Sequence, residues 1–364
     1  MTTSPLRMLP LALTSLLLIA SVANAADIPD PQGDRLVKKN ARLELLFTRS
    51  AKIEGGLTEG PAVAPDGSIY FSDIPFGEDH GMIHRFDPRT NTTKVFSDNS
   101  GKSNGLIFNS KGRLLACEGA GFGGRQISST DTKTGKKTTL VNSYSGKRLN
   151  APNDLCVDAT GRIYFSDPRY VGHEKRELKH RAVYCIEPDG SLFEVTHNIS
   201  KPNGIAISPD GKMLFVADHD NGTDNIDPDA KVPPTPGDMK IYGWWLKDNG
   251  RVESQRFTIV DFNHYAMKGC DGMTVDENGF LYLTVRDAAR PGVMVIDPTR
   301  GKNIGYIPTG PIGQQQATAV GLSSNVEFGI GKDRNLLYIT VDKSLYRIRL
   351  KTQGWHVQYQ GRRK

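Results

Sequence analysis

The chain has 364 residues, with 46 Lys and Arg against 40 Asp and Glu, and a formal charge of only +6. Its basic residues are dispersed apart from a short tail at 362–364, which excludes the clustered footprint of a nucleic-acid binder. No Cys/His zinc spacing, Gly-x-Ser-x-Gly elbow, His-Glu-x-x-His motif or dinucleotide fingerprint occurs, so those chemistries lack their usual signals.

In chain order, residues 1–25 read as a secretory signal: Arg7, an apolar run over 8–20, and the small-residue site Ala23-Asn24-Ala25. The run is short for a membrane span. The expectation is an exported protein, periplasmic or secreted, with no membrane attachment after cleavage and one domain over 26–364. Residues 27–40 are polar, a loose lead-in. Leu43, Leu45 and Phe47 then alternate with Arg42, Glu44, Leu46 and Thr48, which predicts a strand. That strand is expected to join those at Leu336–Val341 and 344–350, because a propeller's closing blade often unites both chain ends and removes an exposed edge.

Beyond it the chain repeats itself. Eight residues before a turn glycine stand Glu59 (Gly67), Asn104 (Gly112), Asn153 (Gly161), Asn203 (Gly211) and Asp271 (Gly279), each followed by Gly or Asp and an apolar run. A looser sixth copy begins at Asn325. Copies about 45–70 residues apart signal propellers or solenoids, and strand, tight turn and strand is a hairpin phrase. Further strands are expected at Met82–Asp87, 182–188, 240–246 and 292–298. Long helical periodicity is absent. The fold predicted is all-β, a six-bladed propeller around a central channel. Equivalent copies place the oxygen-bearing residues Glu59, Asn104, Asn153, Asn203, Asp271 and Asn325 at one height on one axis. Converging oxygen ligands are what a hard divalent cation needs, which predicts a central metal site.

Three stretches interrupt the repeat. The glycine-rich 119–124 does not open a helix and has no Lys-Ser/Thr ending, so it is not read as a phosphate loop. Residues 170–181 are charged and expected as a solvated loop or short helix, with His173 and His180 on the surface. Residues 218–238, rich in Asp, Asn and Pro, lack the twelfth-position Glu of a calcium loop and are expected to cover part of the channel mouth. The four cysteines, Cys117, Cys156, Cys185 and Cys270, are read as buried thiols, with up to two disulfides as the alternative.

Across the mature chain these motifs resemble the senescence marker protein (regucalcin), gluconolactonase and luciferin-regenerating enzyme family, most of all its exported bacterial gluconolactonases. The resemblance rests on Leu57-Thr58-Glu59-Gly60-Pro61, Ser103-Asn104-Gly105-Leu106, the stretches 113–118, 148–154 and 163–168, Lys201-Pro202-Asn203-Gly204 and Asp271-Gly272-Met273. It implies a metal held by Glu59, Asn153, Asn203 and Asp271: one divalent cation, calcium foremost, with zinc, magnesium or manganese as alternatives. Where regucalcin-like members carry Arg, this chain has Ala151, so Arg148 or Asn150 is expected to replace that contact. The function implied is hydrolysis of a sugar lactone, the metal polarising the carbonyl. Asp271 is the candidate base and Glu59 the second, while Asn104, Arg148, Asn150 and Asp154 are expected to bind sugar hydroxyls or hold the ligands. The alternatives are another metal-dependent hydrolase, acting on other lactones or phosphotriesters, and a non-enzymatic calcium- or ligand-binding propeller.

Overall fold

Each copy of the repeat folds as a hairpin because its turn is built for one. Gly67, Gly112, Gly161, Gly211 and Gly279 all have positive φ, a region that costs other residues strain. The preceding carboxylates satisfy the turn's amides: Asp158 accepts from Thr160 and Arg162, and Asp276 from Asn278 and Phe280. The computed structural model describes residues 28–360 except 39, 51, 54 and 226–232. The signal segment 1–25, the middle of the 218–238 stretch and the tail 362–364 lie outside the described residues.

The strands assemble into six four-stranded antiparallel sheets, and a two-stranded ribbon joins Ser143–Tyr144 to Lys147–Arg148. The inner strands of the blades are Leu57–Val63, Ser103–Phe108, Leu155–Val157, Pro202–Ile207, Cys270–Val275 and Ser323–Phe328. The sixth blade closes as expected: Glu44–Thr48 pairs with Ser344–Arg349, beside Leu336–Val341, with Glu44 opposite Arg347. The N-terminal strand's simple alternation is broken by a register shift between Leu45 and Phe47.

The inner strands carry the feature that makes a site. Five of them break register at the repeat's signature residues, between Glu59 and Ala62, Ser103 and Leu106, Pro202 and Ile205, Cys270 and Met273, and Ser323 and Asn325. A bulge bends the strand and re-aims a side chain. Hydroxyls of neighbouring strands support the inner strands at these places and at the corresponding place of the third blade. Ser72 bonds the Asn104 carbonyl, Ser166 the Asp154 amide, Thr284 the Gly272 amide, and Thr340 the Asn325 amide. One residue beyond Ser166, Asp167 accepts the amides of Asn150 and Ala151. Asp218 does the same for Ser200 and Lys201, and Asp342 for Gly321 and Leu322. Each aspartate thereby fixes the entry to its own blade's inner strand.

The core lies between blades. One cluster packs Trp244, Tyr164 and Val216 across the third and fourth blades, and another packs Phe328, Tyr282 and Ile339 across the fifth and sixth. Burying each such side chain is worth about 1.5–3 kcal/mol. All four cysteines are free and buried.

The C-terminal segment crosses the rear of the channel. Trp355 packs against the fourth and fifth blades, Val357 against the second and third, and the Tyr359 hydroxyl donates to the Val63 carbonyl at 2.7 Å. Beneath it Glu327 accepts from the Phe328 amide at 2.7 Å and from Thr274 at 3.2 Å, and burial pushes its carboxyl up to about 8. The neighbouring His356 is driven down to about 4 by burial, so it is neutral in both folded and unfolded chains above about pH 6.5. From there to pH 8 the folded chain holds a proton on Glu327 that the unfolded chain has lost. Its contribution to stability is full below the unfolded carboxyl's range and disappears as pH rises through 8. We expect Glu327→Gln, which keeps both accepted bonds, to flatten the fall in unfolding free energy between pH 6.5 and 8 by about 2 kcal/mol. Parallel urea titrations of the two proteins across that window check it, and an unchanged slope refutes it.

Candidate active site

Glu59, Asn104, Asn203 and Asp271, at register breaks, and Asn153, just before the third blade's inner strand, meet at one cavity of about 520 Å³ at the front of the channel. Asn203 Nδ2 donates to Asp271 Oδ1 at 2.8 Å and to the Tyr170 hydroxyl at 2.9 Å. Glu59 Oε2 accepts the Gly60 amide at 2.9 Å, and Arg286 Nε stands 3.6 Å from Asp271 Oδ2. Burial, then the charge of Asp271, holds the Glu59 carboxyl well above its usual range. Burial raises Asp271 as well, against the opposing pull of Arg286 and Asn203. The floor therefore carries two carboxylates short of positive charge. Beside them the Asn104 Oδ1 atom is buried without a hydrogen-bond partner.

The sixth ring member departs from expectation. Asn325 accepts the Val326 amide at 2.8 Å and donates to Asp154 Oδ2 at 3.4 Å. Both residues line a separate rear cavity of about 160 Å³, under the C-terminal segment. Asp154 is thus no front-cavity contact with sugar hydroxyls but a group behind the ligands, the other role expected of it. It follows Asn153 directly, and successive side chains in extended chain point opposite ways. Burial brings its carboxyl to about 7.

Arg148 and Asn150 are corrected too, since neither lines the front cavity. Arg148 Nη2 donates to the Gly124 carbonyl at 2.7 Å, and its amide to Glu177 at 2.9 Å. Asn150 donates to the carbonyls of Asp167 and His180 and accepts from Arg176 at 3.0 Å. Its polar atoms are committed to holding the 170–181 segment.

That segment is a loop with His173 exposed, as expected, and it does more: Tyr170, Val171, Gly172 and His173 also form cavity wall, facing Gly119 to Phe122. The two stretches lock together because Gly121 and Phe122 donate their amides to the Glu174 carboxylate at 2.9 and 3.1 Å, and the Phe122 and His173 rings lie 4.5 Å apart. The glycine-rich loop receives a carboxylate of its own chain. From the 218–238 stretch, His219 and Asn221 reach the cavity, in keeping with the expected cover of its mouth. Burial drives His219 down to about 4, so it is neutral near pH 7.

Arg286, Tyr170 and His219 escaped the sequence reading. Two of them adjoin an aspartate that accepts amides at the entry to the blade's inner strand: His219 follows Asp218 and Arg286 precedes Asp287. The rim is apolar, with Phe76, Phe122 and Val171 exposed at 72%, 44% and 70%.

Residues 57–231 match the family described as the SMP-30/Gluconolactonase/LRE-like region. The gluconolactonase of Zymomonas mobilis is 27% identical over 348 residues, covering 88% of this chain and 87% of the relative. The crystallised gluconolactonase of Xanthomonas campestris superposes with a TM-score of 0.70 at 28% identity, over 92% of this chain and 99% of that one. The calcium-binding protein regucalcin of Agrobacterium tumefaciens shares the fold at a TM-score of 0.62 and 18% identity, over 85% and 94% of the two chains.

Proposed function

From the match of residues 57–231 to the SMP-30/Gluconolactonase/LRE-like region and the likeness to gluconolactonases, we propose that the chain is a lactonase that hydrolyses a sugar lactone with the help of one divalent cation. The observation that carries this reading is the cavity floor, where two carboxylates and three amide side chains from different blades meet. The donor set fits such an ion: all its donors are oxygens once the Asn203 amide makes a half-turn, and Asn104 Oδ1 is buried and unpartnered. Glu59, Asn153, Asn203 and Asp271 would hold it, calcium being the best match to their hardness. When bound, the cation supplies Lewis-acid polarisation of the lactone carbonyl.

The chain's own groups do the rest. Asp271 takes the proton of the attacking water as oxygen adds to the carbonyl carbon, with Glu59 the second candidate. The ring C–O bond then breaks, and the ring oxygen takes up a proton to become the hydroxyl of the hydroxy acid. Arg286 steadies the Asp271 carboxylate from its outer side. Asn104 meets substrate hydroxyls, and the Tyr170 hydroxyl orients Asn203.

The apolar rim of Phe76, Phe122 and Val171 favours a second reading, in which the lactone carries a hydrocarbon substituent or the substrate is a phosphotriester. A substrate panel of aldonolactones, alkyl-substituted lactones and phosphotriesters separates the two. Chelation is expected to abolish turnover, and added calcium to restore it. Aldonolactone turnover unaffected by a chelator overturns the metal-dependent reading, and turnover of phosphotriesters alone overturns the lactonase.

Export is part of the same proposal, with the mature chain starting at Ala26. Mass spectrometry of the native protein is expected to find that terminus, and an intact Met1 form as the sole product counts against it.

A further inference from the structure

A second cluster of metal-binding side chains lies on the outer edge of the third blade, away from the front cavity. His180 Nε2 is 2.8 Å from Glu194 Oε2, and His197 Nδ1 is 2.5 Å from Glu194 Oε1. The two imidazoles face each other with ring centroids 4.4 Å apart, and one donor atom from each of the three residues falls within 4.8 Å of the others. The backbone sets this arrangement. His180 closes the 170–181 segment shortly before strand Ala182–Ile186. Glu194 is the middle residue of the outermost strand, Leu192–Thr196, and His197 follows that strand directly.

We propose that His180, Glu194 and His197 form a second cation site, selective for zinc or a similar nitrogen-preferring divalent ion, whose occupancy pins the segment that walls the central cavity. Two neutral imidazoles and a carboxylate are a zinc donor set and a poor calcium one, since calcium takes oxygens. The side chains are 45%, 18% and 61% exposed, which leaves an ion reachable and a fourth position open to water. The consequence for the cavity follows from connectivity. The His180 carbonyl accepts the Asn150 amide at 3.1 Å, and the other end of the same segment supplies Tyr170 to His173 to the cavity wall. An ion bridging His180 to Glu194 and His197 ties that segment to the rigid outer strand.

The test uses the full chain in excess calcium, so that the all-oxygen site does not report, and none of its readouts depends on lactone turnover. Cobalt(II) is titrated in and followed by the visible absorption of low-coordinate cobalt, then displaced with zinc. One saturable site is expected. Loss of a mere supporting group around a metal costs about 10–100-fold in affinity, and His180→Ala and His197→Ala, which delete ligands, are each expected to cost at least that much. The second readout is tryptic cleavage at Lys175 and Lys179, both exposed. At 100 times its Kd, zinc is expected to slow this cleavage by up to ~100-fold in the wild type and not in His197→Ala, which alters no cleavage site. An unchanged circular-dichroism spectrum and thermal unfolding in calcium show the variants to be folded. If neither cobalt nor zinc binds the wild type more tightly than the His180→Ala/His197→Ala double variant, the cluster is a hydrogen-bonded clamp and the site is refuted. Tight binding with unchanged cleavage refutes the pinning.

Discussion

Asp271→Asn is expected to abolish lactone turnover, by about 10²–10⁴-fold, and to stay inactive at saturating divalent cation. The substitution nearly preserves shape. The asparagine side chain still offers an oxygen to the cation, while the ion pair with Arg286 is lost. Two things disappear together: a negative charge that attracts the cation, and the first candidate for taking the proton from water. Mass action restores the first when cation is raised, since occupancy depends on concentration relative to Kd. It cannot restore the second. Asn153→Ala makes the contrast, because a neutral oxygen ligand is removed whose place a water can partly take, and excess calcium is expected to recover much of the turnover. Turnover against calcium concentration for both variants, with occupancy followed by calorimetry, decides the matter. Near wild-type turnover of Asp271→Asn at full occupancy makes Asp271 a ligand only, and Glu59 becomes the base to test.

Much of this site could be read from phase alone, and what could not has a physical cause. Residues spaced identically from a turn glycine occupy equivalent points of equivalent blades, so Glu59, Asn104, Asn153, Asn203 and Asp271 came together without knowledge of any contact. Asn325 belongs to the copy whose turn runs two residues out of phase, and its side chain serves the rear of the channel. Arg148, Asn150 and Asp154 were chosen for nearness in sequence to Asn153. Nearness along an extended chain says little about direction, and two of the three spend their hydrogen bonds on loops. The cavity walls were the least legible part. The contact that builds them, between Glu174 and the amides of Gly121 and Phe122, joins residues 53 and 52 positions apart with no motif in common. The expected export signal lies outside the described residues.

The glycine that follows Glu59, Asn104, Asn203 and Asp271 supports a last expectation, that Gly105→Ala destabilises the protein by more than the 1–3 kcal/mol usual for an overpacked core and weakens cation binding as well. Gly105 has no unusual φ, so nothing about its own backbone demands glycine. The demand comes from the next blade. A Cβ at this position falls 2.3 Å from Asp154 Oδ1, 2.7 Å from Asp154 Cα and 2.8 Å from the Asn153 carbonyl oxygen. Two of those atoms are backbone and cannot rotate away. The same close approach recurs around the ring, where Gly60 meets the Asn104 carbonyl oxygen at 2.3 Å and Gly204 the Asp271 carbonyl oxygen at 2.5 Å. The Gly105 amide also donates to the Asn153 carbonyl at 2.7 Å, so any retreat moves the ligand-bearing residue itself. Gly67 is the control. Its φ is +84° with nothing within 4 Å of the added carbon, so Gly67→Ala is strained only locally, by about 1–2 kcal/mol, far from the floor of the cavity. Thermal unfolding and calcium titration of the two variants separate the causes. Gly105→Ala is expected to lose both Tm, at about 1–2 °C per kcal/mol for a domain of this length, and calcium affinity, and Gly67→Ala to lose Tm alone. If Gly105→Ala matches Gly67→Ala in stability and binds calcium like the wild type, the packing of blade against blade is not what holds glycine at this place in the repeat.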